Sequence, residues 1–148
     1  MQLRSATSRY HGYLSATPAR ILLAEDDVEM RRLLAATLRR DGYEVIEAAD
    51  GIELRRLVEL HLLDNREHPA VDLVITDIRM PGQSGLRVLA GLRSEDWATP
   101  VLLITAFGDE ATHAEAKRMG AAAVFDKPFD LDDLRTAVLN LVGPSRLA

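Results

Sequence analysis

Cysteine is absent from all 148 residues. That excludes a disulfide framework and a thiolate metal site, so any chemistry must rest on oxygen and nitrogen groups. No apolar run approaches the roughly 18 residues of a membrane span, and no apolar stretch follows the N-terminal charges as in a secretory signal. A soluble, cytoplasmic protein without a membrane partner is expected. Neither a G-x-G-x-x-G turn nor a G-x-x-x-x-G-K-[ST] loop occurs, which argues against a nucleotide-binding enzyme. Acids are missing from residues 1–20, where Arg4, Arg9 and Arg20 stand alone. The remainder therefore holds 15 of the 18 basic residues and all 23 acidic ones, a balance of −8 within a net charge of −5. Such an acidic body argues against a nucleic-acid groove.

What is present fits one globular domain: 47% of the residues are hydrophobic, enough for an independent core. Residues 1–19 show neither helical nor alternating apolar spacing and read as a flexible leader. Residues 20–143 form the body, and 144–148 a short tail. In the body, strand-like runs alternate with helix-like ones. The strand candidates are "ILLA" (21–24), "YEVIE" (43–47), "VDLVIT" (71–76), "PVLLIT" (100–105) and "AAVF" (122–125). Between them Met30, Leu33, Leu34, Thr37 and Leu38 recur at helical spacing. So do Leu54, Leu57, Val58 and Leu62, and then Leu86, Leu89 and Leu92. A fourth helix, "DEATHAEAKRMG", has a weak apolar face and a fifth, "DLDDLRTAVLNLVG", a strong one. Gly42 and Gly120 stand where the first and fourth helices should end, and Asp130 where the fifth should be capped.

Five strands alternating with five helices predict an α/β fold, a doubly wound, five-stranded parallel sheet covered on both faces; with the order 2-1-3-4-5, the first and third strands are neighbours and their terminal acids meet. In such sheets the ligand crevice lies beyond the carboxyl ends of the strands, where strand order reverses. Glu25, Asp26 and Asp27 follow the first strand, Asp77 the third, Thr105 ends the fourth, and Asp126, Lys127 and Pro128 follow the fifth. Carboxylates gathered at one edge repel unless a cation or proton intervenes, and an all-oxygen set favours a hard ion such as Mg²⁺. Asp77 can then act as nucleophile in phosphoryl transfer, with Lys127 offering a point charge and Thr105 a hydroxyl to the phosphoryl group. Each residue also has a plainer reading. Asp27 can be only a helix N-cap, Thr105 an ordinary β-branched strand end, and Lys127 a solvated lysine.

The stretches "ILLAEDD" with "MRRLL", "DLVITDIRMPGQSGLRVL", "VLLITA" and "GAAAVFDKPF" resemble the receiver domain of bacterial two-component response regulators, a flavodoxin-like fold, from about Arg20 to Gly143. The resemblance implies that Asp77 accepts a phosphoryl group from a phosphohistidine on a partner histidine kinase or phosphotransfer protein. It implies that Lys127 contacts that group, that Thr105 moves towards it, and that the Lys127-Pro128 bond is cis. It further implies Mg²⁺ held by Asp26 and Asp77, by Glu25 through water, and by the backbone carbonyl of Arg79.

Three features depart from that family. The span from Asp26 to Asp77 is longer than usual, with the surplus in "LHLLDNREHPAVD". The position three before the lysine, commonly Tyr or Phe, is Val124. The residues two past the phosphoacceptor and two past the switch hydroxyl are Arg79 and Phe107, whose bulk is expected to shield an acyl phosphate from water. The chain reaches Ala148 just after the fifth helix, so output is expected through another protein, with Thr112, His113 and Lys117 on the face concerned. An aspartyl-nucleophile phosphatase is a rival, but it would want a second acid where Arg79 stands. A flavin module shares the fold, yet strand-end acids would repel a flavin phosphate. The alternative within the resemblance is a phosphate sink or a phosphorylation-independent adaptor.

Overall fold

In a computed structural model, residues 18–63, 70–82, 84–95, 97–106 and 108–144 are described. Most of the leader, residues 64–69 of the long second crossover, Gln83, Asp96, Phe107 and the end of the tail lie outside them, as do the side chains of Leu62 and Leu63. The apolar segments form strands β1 (Arg20–Ala24), β2 (Glu44–Ala48), β3 (Leu73–Asp77), β4 (Val101–Thr105) and β5 (Ala123–Asp126). Helices α1 (Val28–Arg40), α2 (Gly51–Val58), α3 (Gly85–Ser94), α4 (Glu110–Arg118) and α5 (Leu131–Val142) alternate with them. All pairings are parallel, as the alternation predicted, and the sheet order is the expected β2-β1-β3-β4-β5.

Side chains that alternate along each strand divide the core into two layers. Leu22, Ala24, Val74, Val101 and Leu103 face α2 and α3, packing with Leu54, Leu57, Val88, Leu89 and Leu92. Ile21, Leu23, Leu73, Ile75, Leu102 and Ile104 face α1 and α5, packing with Leu34, Leu38, Leu134 and Val138. Each fully buried Leu or Ile contributes about 1.5–3 kcal/mol through apolar surface removed from water.

Two expectations need correcting. Leu33 shares the helical spacing of the α1 core residues but is 47% exposed; the inward positions are Leu34, Ala35, Thr37 and Leu38. The third strand begins at Leu73 rather than Val71 and extends through Asp77, so the aspartate is its last residue, paired with Ile104. Helix punctuation matches: Asp27 and Asp130 cap α1 and α5, and Gly42 and Gly120 adopt positive φ just after α1 and α4. Beyond α2 the chain loosens into a π-helical turn, Glu59–Leu63, before the long crossover. Among the described residues no helix is long and apolar enough to cross a membrane.

Candidate functional site

The crevice lies at the carboxyl edge of the sheet, where β1 and β3 are neighbours and their crossovers run to opposite faces. Glu25 continues the β1 line by one rung, its amide donating to the carbonyl of Ala48 at 3.1 Å, and its side chain is buried. Asp26 is exposed beside it. Asp27 turns the chain into α1: its amide donates to Glu25 Oε2 at 3.0 Å, and its own Oδ1 accepts from the amide of Met30 at 3.0 Å. Thus Asp27 is the helix cap of the plainer reading, while Glu25 and Asp26 point at the crevice with Asp77. One carboxylate oxygen from each of the three lies within 4.8 Å of those of the other two.

Asp77 is 5% exposed, and each of its oxygens has a partner. Oδ1 accepts the backbone N–H of Arg79 at 3.0 Å, and Oδ2 accepts from Lys127 Nζ at 2.8 Å. Behind it, Gly85 allows α3 to begin hard against the strand end. A Cβ at that position would sit 2.6 Å from the Asp77 carbonyl oxygen and 3.0 Å from Thr76 Cγ2. Lys127 arrives from the end of β5, its amide bonded to the carbonyl of Thr105 at 2.8 Å, and the bond to Pro128 is cis. Thr105 closes β4 in a buried position.

Lys127 Nζ also lies 2.8 Å from Glu25 Oε1. By angle the ammonium is aligned as a hydrogen-bond donor on Asp77, while with the buried Glu25 Oε1 it makes an equally close ion pair. Burial raises the pKa of the Glu25 carboxyl; Lys127 and the Asp27 amide work against that, and the charge of Asp77 adds to it. Burial works to lower the pKa of Lys127, but the carboxylates of Asp77 and Glu25 outweigh it and hold the ammonium above the ordinary lysine value. One ammonium thus serves a cluster of three carboxylates. An all-oxygen donor set with a surplus of negative charge is chemistry that suits a hard divalent cation.

Other expected residues lie farther out. On α4, Thr112 donates its amide to the cap Asp109 at 2.8 Å. His113 Nε2 lies 2.9 Å and 3.1 Å from the two oxygens of Asp126. His113, Lys117 and Val124 line a shallow groove between α4 and β5, with Val124 half-buried on that edge strand. The shielding expected of Phe107 concerns a residue outside those described. Arg31 received no role in the sequence reading. Its side chain reaches back from α1 to the carbonyl of Glu25 at 2.9 Å and to Glu47 at 3.2 Å. Only its place one turn into α1, after the acidic run, could have signalled this.

A sequence-family model described as the response regulator receiver domain matches residues 21–139. The transcriptional regulatory protein PdtaR of Mycobacterium tuberculosis (strain ATCC 25618 / H37Rv) is 38% identical over 125 residues, 84% of this chain and 57% of that protein. The chain therefore spans a little over half the length of that relative. Sporulation initiation phosphotransferase F of Bacillus subtilis (strain 168) is 34% identical over 119 residues, covering 80% of this chain and 90% of that one. Among solved structures, the receiver domain of the Francisella response regulator 1452 superposes with a TM-score of 0.75 at 25% identity, over 84% of this chain and 96% of that one. A response regulator receiver domain protein from Clostridium thermocellum gives 0.73 at 29% identity, over 84% and 94%.

Proposed function

The chain belongs to the response regulator receiver domain family, and from that premise we propose that Asp77 accepts a phosphoryl group from the phosphohistidine of a partner histidine kinase or phosphotransfer protein. The observation that carries this reading is the Asp77 carboxylate itself. It is buried at a strand end, held from two sides by the Arg79 amide and the Lys127 ammonium, and set among Glu25 and Asp26.

In the transfer, an Asp77 oxygen attacks the phosphorus, the P–N bond to the imidazole breaks, and the leaving nitrogen keeps the electron pair. With a proton on the other ring nitrogen, the histidine departs neutral. Asp26, Asp77 and the Arg79 carbonyl would hold Mg²⁺, with Glu25 acting through water. When bound, Mg²⁺ supplies the positive charge that offsets repulsion between the carboxylates and the phosphoryl oxygens. Lys127 neutralises a phosphoryl oxygen as the new P–O bond forms, and Thr105 offers it a hydroxyl donor. The acyl phosphate then shifts a pre-existing equilibrium of the segment after Thr105 and of α4. In this role the domain, residues 20–143, is a cytoplasmic signalling element acting through other proteins and not a turnover enzyme.

The half-buried Val124, where the family commonly has an aromatic ring, favours a second reading as a phosphate sink with little structural output. Equal partner affinity with and without acyl phosphate would support it. The primary test is incubation with acetyl phosphate and Mg²⁺, read by intact mass. A gain of one phosphoryl group that needs Mg²⁺ and is lost in Asp77→Asn is expected. An equal gain in Asp77→Asn would refute the assignment.

A further inference from the structure

We propose that Arg31 is a positioning residue for the acidic pair at the end of β1, fixing the peptide between Glu25 and Asp26 so that both carboxylates converge with Asp77. The inference rests on the Mg²⁺ reading above.

Glu25 lies one residue past the last rung on either side of β1, Ala24 with Ala48 and with Thr76; its amide still donates to the Ala48 carbonyl, but no strand rung pairs its own carbonyl. Arg31 does: Nη1 donates to that carbonyl at 2.9 Å. From the same planar guanidinium, Nε donates to Glu47 Oε1 at 3.2 Å on β2. Glu47 is anchored in turn, its other oxygen 3.0 Å from Arg39 Nη1, while Arg39 Nη2 donates to the carbonyl of Val45 at 2.9 Å. The Arg31 side chain is only 15% exposed, unlike a solvated surface arginine.

A guanidinium presents its donors in a rigid fork, so two acceptors gripped by one arginine are held at a fixed mutual position. The Glu25 carbonyl and the Asp26 amide belong to one planar peptide, and holding the carbonyl therefore sets where the Asp26 Cα stands, the point from which its carboxylate projects. Asp26 is the exposed member of the cluster. The chain Val45–Arg39–Glu47–Arg31–Glu25 thus carries the register of the β2 edge to the crevice without touching a carboxylate of the cluster. Lysine could keep the charge but not the fork. Groups that orient metal ligands from behind are worth about 10–100-fold in metal affinity.

The test is calorimetric titration of the full chain with Mg²⁺, alongside the Mg²⁺ dependence of phosphorylation by acetyl phosphate. For Arg31→Lys the Mg²⁺ Kd should rise by about tenfold, and for Glu47→Gln by about threefold. Half-saturating Mg²⁺ should rise in parallel, while the rate at saturating Mg²⁺ stays within about twofold of wild type. A purely structural role would lower the melting temperature and leave the Kd of the folded protein alone. Kd values within about twofold of wild type in both variants would overturn the proposal. Should Arg31→Lys fail to fold, an unchanged Kd in Glu47→Gln overturns it by itself. A wild-type chain that binds no Mg²⁺ would instead sink the Mg²⁺ reading, and this inference with it.

Discussion

Asp77 and Glu25 share one ammonium. Lys127 Nζ lies 2.8 Å from an oxygen of each, aligned as a hydrogen bond on Asp77 and as an ion pair on Glu25, so neither carboxylate has the charge to itself. A cation entering the crevice competes with Lys127 for the same carboxylates, so Lys127→Met should tighten Mg²⁺ binding by at least about threefold through lost charge repulsion. Titration of that variant checks it, and weaker binding would contradict the geometry. Gly85 offers a second test, because its missing Cβ is what lets α3 start against Asp77. Gly85→Ala should cost about 1–3 kcal/mol in chemical denaturation, as an overpacked contact with rigid backbone. At this scale the acids and Lys127 were legible, since residues placed just after strand ends must meet at one edge. The grip of Arg31 was not, because a side chain that reaches back six residues leaves no periodic trace. Leu33 misled for a related reason: on a 3.6-residue repeat, a position at the border of the apolar stripe turns outward as readily as inward.

The helices that follow the site strands are set by their caps. Ser84 begins α3, its Oγ accepting from the amide of Arg87 at 3.2 Å, and Ser84→Ala should destabilise the domain by about 1 kcal/mol in urea unfolding. Asp109 begins α4, where hydrogen bonds from the Thr112 amide and side chain hold its carboxyl below the ordinary aspartate value of 3.8. A carboxyl whose pKa is depressed by folding stabilises the fold fully above its unfolded value and loses that contribution as pH falls through the folded one. Amide protection factors across α4, with the intrinsic pH dependence of exchange divided out, should therefore fall as pH drops below about 4. Element identities were legible because Asp, Ser and Gly punctuate each helix. The π-helical turn after α2 was not, since Leu57, Val58 and Leu62 continue a helical spacing that a widened turn does not visibly break.

Across the whole molecule, the parallel, doubly covered sheet follows from two facts visible in the sequence: every strand is followed by a helix, and the central strands are apolar on both faces. β3, like β4, is buried along its entire length, and it lies between β1 and β4. Ile75→Ala should cost about 2–5 kcal/mol of stability by opening a cavity between the sheet and the α1–α5 layer. That strand exists in order to end at Asp77, and the layers on either side hold the crevice rigid while α4 and β5 form a more open edge. The most direct measurement is to phosphorylate the protein with acetyl phosphate and Mg²⁺, reduce the acyl phosphate with borohydride, and sequence the peptides by mass spectrometry. Reduction turns a phosphorylated aspartate into homoserine, which is expected at position 77 and nowhere else. Homoserine at Asp26 or Asp27, or none at position 77 in a protein that has gained phosphoryl mass, would contradict Asp77 as the acceptor.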